Sequence, residues 1–139
     1  MGKESWQTLL SFGLVVVLFN ACGKELPDYP ARTPPAGMLD NPTAAMAGVE
    51  LFRRNCATCH GRVEEGRSSR ADFFQPPAPD FREVRYRQLP ADYLYWRIAT
   101  GKNAEPFASR GSVMPPWEAT LREEDIWHLV AYLRSRGTH

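Results

Sequence analysis

Cys56-Ala57-Thr58-Cys59-His60-Gly61 is the stretch on which the reading of this chain turns. Two thiols three positions apart lie on one helical turn, and a histidine directly follows the second. Each thiol can add across one of the two vinyl groups at the edge of a haem. His60 then lies under the iron and can offer an imidazole nitrogen as an axial ligand. C-x-x-C-H is accordingly read as a covalent attachment site for a c-type haem, through Cys56 and Cys59. Two other uses of a C-x-x-C pair fit less well. A thioredoxin-like disulfide expects a βαβ setting, and no such pattern surrounds the motif. A zinc site needs about four ligands, and beyond the motif only Cys22, His128 and His139 could contribute.

Of the three cysteines in the 139 residues, Cys22 remains. Lys3 and the amino terminus face a single acid, Glu4, and an apolar run from Leu9 to Phe19 follows, interrupted only by Ser11 and Gly13. That length suits a signal peptide and is too short for a mature membrane span. The run ends in Phe19-Asn20-Ala21-Cys22, which resembles the lipobox of bacterial lipoproteins, where a small residue precedes the cysteine that is acylated. Phe19 and Asn20 depart from the usual leucine and small residue. The expectation is a lipoprotein signal over residues 1–21 and lipidation at Cys22. Ordinary cleavage near Ala21 and a retained anchor are the rivals.

Residues 22–40 hold Pro27, Pro30, Pro34 and Pro35 and show neither helical nor strand period. Prolines remove backbone donors and favour extended chain, so the segment reads as a flexible tether. A strap packed over the following domain is the alternative. Residues 41–139 are then one domain by size. Lys and Arg number 17 against 16 Asp and Glu, with no basic run to suggest nucleic acid.

Three helices are expected in that domain. Asn41 can cap one that has Pro42 at its first position and runs to about Asn55. Pro90 to Thr100 is a second, closed by Gly101. Thr120-Leu121-Arg122-Glu123 reads as a capping box that opens a third. Its acids, Glu123, Glu124 and Asp125, lie in the first turn and Arg134 and Arg136 in the last, matching the helix dipole. Ile126, Leu129, Val130 and Leu133 form its apolar stripe, with Trp127 and Tyr132 on the flanks. His128 points away from that stripe and reads as a solvated residue. The fold class is all-α.

A second iron ligand must come from elsewhere. Met1 leaves with the signal, Met38 lies in the tether and Met46 in the first helix. Met114 remains, in Gly111-Ser112-Val113-Met114-Pro115-Pro116-Trp117. The prolines stiffen an irregular segment that can present a thioether, although a lone Met also serves as plain core.

The order of C-x-x-C-H, then Met-Pro-Pro-Trp about 55 residues later, then an amphipathic terminal helix resembles class I cytochrome c over roughly residues 41 to 137. The resemblance implies three main helices wrapped around one covalent haem, with His60 and Met114 as axial ligands. It implies that Gly48 and Phe52 pack on the terminal helix at Leu129 and Tyr132. It also implies that a proline in Phe74-Gln75-Pro76-Pro77-Ala78-Pro79-Asp80-Phe81, Pro76 or Pro77, offers its carbonyl to His60. The lysine ring with which many members dock partners is absent. Arginines and acids nearly cancel between residues 62 and 87.

The function expected is one-electron transfer in a respiratory or photosynthetic chain, by a protein that is not itself an enzyme and has no small-molecule substrate. Phe52, Trp96, Ile98, Trp117 and Leu129 are expected to line the haem pocket. Partners would be redox proteins or a membrane oxidoreductase complex, met at the periplasmic side of a bacterial envelope through the lipid anchor. A haem enzyme or gas sensor would need an open iron position, which Met114 would fill. A fixed subunit of a larger complex stays alive, since the layout resembles single-haem lipoprotein subunits of respiratory assemblies such as alternative complex III.

Overall fold

Asn41 opens the first long helix as its chemistry suggests. Its side-chain oxygen accepts the backbone N–H groups of Thr43 at 2.8 Å and Ala44 at 3.4 Å. Pro42 takes the first helical position, where a missing N–H leaves no bond unmade. In this computed structural model the described residues are 26–103, 105 and 107–136. They form α1 (Pro42–Asn55), the single turn α2 (Ala57–His60), α3 (Arg85–Gln88), α4 (Ala91–Thr100) and α5 (Glu123–Arg136). Short 3-10 turns punctuate the connections, and no strand occurs among the described residues. The fold is all-α, a cytochrome c fold with α1, α4 and α5 as its three main helices. The expected signal peptide, Cys22, residues 23–25 and His139 lie outside the described residues.

The terminal helix is the centre of the packing. α5 meets α1, α3, α4 and the Met38–Asp40 turn. Being covered on several sides, it buries Trp127 and Tyr132 along with the stripe, rather than leaving them on its flanks. Trp127 packs on Tyr95 with ring centroids 4.5 Å apart. At the crossing with α1, a Cβ on Gly48 would collide with the His128 carbonyl and the Tyr132 Cβ. The glycine is there because two backbones approach too closely for a side chain. That same approach leaves His128 half-buried and not freely solvated. Phe52, one turn on, meets Tyr132 edge to face at 5.1 Å.

The start of α5 differs from the expected capping box. Thr120 donates its hydroxyl to the Trp117 carbonyl at 3.4 Å, closing the Trp117–Ala119 turn. That turn, set up by Pro115 and Pro116, uses up Thr120 and delays the helix to Glu123. Asp125 then supplies the cap, accepting the Arg122 backbone N–H at 3.2 Å and two guanidinium bonds at 3.0 Å each. The reciprocal half of a capping box survives, shifted two residues along the chain.

Residues 26–40 do not hang free; they take the strap arrangement. Tyr29 stacks on Trp96 with centroids 5.5 Å apart and planes 20° from parallel, and meets Tyr93 edge to face at 5.3 Å. Arg32 lies 4.9 Å over the Tyr95 ring and forms an ion pair with Glu123 at 3.5 Å. Met38 and Leu39 pack against the core. An extended proline-rich chain carrying Tyr, Arg, Met and Leu at intervals has enough apolar and aromatic surface to dock on α4 and α5.

Candidate functional site

The attachment motif folds as sequence chemistry suggests. Cys56 ends α1, its N–H bonded to the Phe52 carbonyl at 2.8 Å, and α2 carries Ala57 to His60 through one turn. Gly61 then reverses the chain at φ 84°, where a Cβ would press on the backbone of Arg67 and Ser68. Both cysteines are free thiols and half-buried. Burial pushes the Cys56 thiol up to about 12, with Cys59 adding to the rise.

These residues face a partly open cleft. Its walls are Cys56, Cys59 and His60 from the attachment motif, Pro76, Pro77 and Pro79 from the proline-rich segment, and Met114, Pro115 and Trp117 from the segment ahead of α5. Three parts of the chain far apart in sequence thus meet at one largely apolar hollow.

His60 is held from behind by rings. Phe81 lies 4.7 Å from it and Phe52 6.5 Å, centroid to centroid. Burial lowers its pKa to about 4, aided by the positive charges of Lys102 and Arg136 and opposed by the Pro79 carbonyl. The imidazole is therefore neutral at pH 7, the form that binds a metal. The carbonyl that acts on this ring is Pro79's, not that of Pro76 or Pro77. Ala78 N–H bonds the Ala71 carbonyl at 3.2 Å, which pins the segment so that its next residues, Pro79 to Phe81, turn to the histidine. Pro79 does not align closely enough to satisfy Nδ1, which is buried with no hydrogen-bond partner.

Met114 is half-buried and lines the same cleft. Its carbonyl accepts the Lys102 N–H at 3.1 Å, and Gly101, at φ 66°, leaves no room for a Cβ against Met114 and Pro115. Trp117 lines the cleft as expected. Phe52 and Trp96 do not: Phe52 is core behind His60, and Trp96 lies on the outer side of α4 under the strap. Ile98 and Leu129 are likewise core. Their large apolar side chains made these residues candidates for the pocket, but residue type alone does not separate core from cleft.

Two cations went unnoticed in the sequence. Lys102 lines the cleft, with its ammonium 5.0 Å over the Phe107 ring. Burial lowers its pKa, and Arg97 and Arg85 lower it further. Arg97 is buried, packed 4.0 Å over Trp96 and 4.4 Å over Phe107, with Nη2 lacking any hydrogen-bond partner. A buried guanidinium with an unmet donor calls for an acidic group, and haem carries two carboxylates. An apolar hollow edged by two thiols, a neutral imidazole, a thioether and the Lys102 ammonium is a donor set that fits haem. Among the described residues no cluster of three or more His, Cys, Asp or Glu side chains is placed to hold a bare metal ion.

Comparison with known proteins agrees with this chemistry. The family model described as cytochrome c oxidase, cbb3-type, subunit III matches residues 43–133. The cbb3-type cytochrome c oxidase subunit FixP of Azorhizobium caulinodans is 30% identical over 130 residues, covering 93% of this chain and 39% of that protein. The CcoP subunit of Cereibacter sphaeroides is 33% identical over 90 residues, 65% of this chain and 27% of that one. The chain thus spans between 27% and 39% of the length of these relatives. Among solved structures, a chain of the Kuenenia stuttgartiensis reducing HAO-like protein complex aligns over 81% of this chain and 51% of its own, with TM-score 0.58 and 20% identity. The KustC0563 c-type cytochrome aligns over 66% and 98%, with TM-score 0.51 and 20% identity. These structures speak to the fold alone.

Proposed function

This chain belongs to the cytochrome c oxidase, cbb3-type, subunit III family, and from that premise we propose that it carries single electrons through one c-type haem. Membership together with the Cys56 and Cys59 pair implies covalent haem c. The finer reading is that Cys56 and Cys59 form both thioethers and that His60 and Met114 ligate the iron. The observation that supports it best is the meeting of these four side chains at one cleft.

When bound, haem supplies a ferrous–ferric couple. The protein does the rest. Cys56 and Cys59 fix the group against the end of α1. His60, kept neutral by burial, presents a lone pair and is oriented by Phe81 and Phe52. Met114 closes the opposite side with a soft thioether, which favours the ferrous state over what a second imidazole would give. Pro76, Pro77, Val113 and Trp117 exclude water, and a low-dielectric surround disfavours the extra positive charge of the ferric state. Arg97 and Lys102 suit the carboxylates.

Replacing Met114 with Ala tests the closed site. Haem should stay attached, because Cys56, Cys59 and His60 are untouched. Ferrous iron should gain rapid carbon monoxide binding, the weak long-wavelength sulfur-to-iron band should vanish from the ferric spectrum, and the reduction potential should fall. Rapid carbon monoxide binding by the unaltered protein would overturn the closed-site reading and favour a haem enzyme or gas sensor.

A second reading is a fixed cytochrome subunit of a membrane oxidoreductase complex, not a mobile carrier. The relatives favour it, since FixP and CcoP are named as oxidase subunits. They point to a cbb3-type assembly more than to alternative complex III. In either reading we place the domain at the periplasmic side of a bacterial membrane.

A further inference from the structure

The strap and the Met114 wall of the cleft are joined by one continuous stack. Tyr29 lies on Trp96, 20° from parallel at 5.5 Å. The Arg97 guanidinium lies 4.0 Å over Trp96 on one side and 4.4 Å over Phe107 on the other. Phe107 is not an idle end, because its carbonyl accepts the Ser112 N–H at 3.2 Å, two residues before Met114. A second tie lies just beyond the end of α4, where the Lys102 N–H meets the Met114 carbonyl at 3.1 Å. The chain that follows α4 therefore holds the backbone around Met114 at two points, and Phe107, at one of them, is the inner end of a column whose outer end is the strap.

We infer that the strap is a remote support of the methionine side of the cleft, with Tyr29 a positioning residue that acts on Met114 through Trp96, Arg97 and Phe107. The inference rests on the reading of Met114 as the closing ligand. Its physical basis is ordering. Arg97 is a long, rotamer-rich side chain, and it presents a fixed face to Phe107 only while Trp96 is itself fixed. Trp96 would otherwise have one face in solvent; Tyr29 covers it. Removing that cover frees Trp96 and Arg97, loosens Phe107, and lets the segment of residues 112–114 open more often. A thioether on a looser segment spends more time away from iron, so outside ligands enter faster in proportion to the open fraction.

The test uses the full haem-loaded chain and reads carbon monoxide binding to the ferrous form together with the ferric sulfur-to-iron band. Tyr29→Ala should speed binding by about threefold to tenfold, the range that loss of one or two aromatic contacts gives, and should weaken the band. Tyr29→Phe should restore both, because the ring remains and only the 3.4 Å bond to Asp92 is lost. A Phe variant behaving like the Ala variant would overturn the column. Arg134→Ala is the control for general loosening, since it cuts a 2.7 Å tie to the Leu89 carbonyl ahead of α4. It should lower thermal stability without speeding ligand entry, and equal acceleration there would also overturn the inference. Met114→Ala run in parallel separates the two readings. A fast Met114→Ala with an unchanged Tyr29→Ala sinks the strap inference and spares the ligand. An unchanged Met114→Ala sinks the ligand reading and the inference with it.

Discussion

Cys56 shows how much a single position can be asked to do. It ends α1, starts α2 and faces the cleft, and burial keeps its thiol protonated, with a pKa pushed up to about 12. Cys56→Ala should leave at most one thioether and a labile attachment. The double change with Cys59→Ala should leave none, as haem staining after denaturing electrophoresis would show. Haem that extracts freely from the denatured unaltered protein would end the attachment reading. Cys56, Cys59 and His60 were legible because their geometry is local: six consecutive residues carry it. Pro79, Phe81, Arg97 and Lys102 were not. Their roles depend on where a turn, a cap or a packed ring brings them, and no spacing in the sequence encodes that.

Among the elements, the crossing of α1 and α5 carries the fold. Gly48, Phe52 and Tyr132 were legible here through the resemblance to class I cytochrome c, and the close approach of the two backbones at Gly48 agrees with it. The start of α5, by contrast, was misplaced. Thr120 and Glu123 have the residue types of a capping box, yet the preceding prolines close a turn that uses the Thr120 hydroxyl first. Local chemistry offered two partners, and the tertiary path of the chain chose between them. Gly48→Ala tests the crossing. The added methyl meets backbone at His128 and the Tyr132 Cβ, neither of which can swing aside. The helices must separate, at a cost of about 1–3 kcal/mol by the usual scale of overpacking. Thermal unfolding of the haem-loaded protein should show this as a lower Tm while the absorption spectrum stays native. An unchanged Tm would mean that the crossing is slack.

For the molecule as a whole, the proposed attachment to a membrane turns on the path of residues 22–40. Proline content made residues 22–40 read as a spacer, but composition cannot say that Tyr29 and Arg32 will find Trp96, Tyr95 and Glu123. With that part docked on α4 and α5, a chain tethered at Cys22 would be held closer to its attachment point than an extended linker of the same length would allow. Among the described residues no helix is long and apolar enough to cross a membrane. We propose that acylation of Cys22, or a protein complex of the kind in which the oxidase subunits FixP and CcoP are named, holds the protein at a membrane. Cys22→Ser separates them in one experiment. If lipid alone holds the protein, the variant should lose the acyl mass and appear in the soluble envelope fraction, or accumulate as uncleaved precursor. If a complex holds it, a processed variant without lipid should stay with the membrane and come away in mild detergent together with its partners. Intact mass reads the first half of that test and fractionation the second. A mature protein that begins after residue 22, or at Cys22 without acyl mass, would remove the lipid from the account and leave the complex as the anchor.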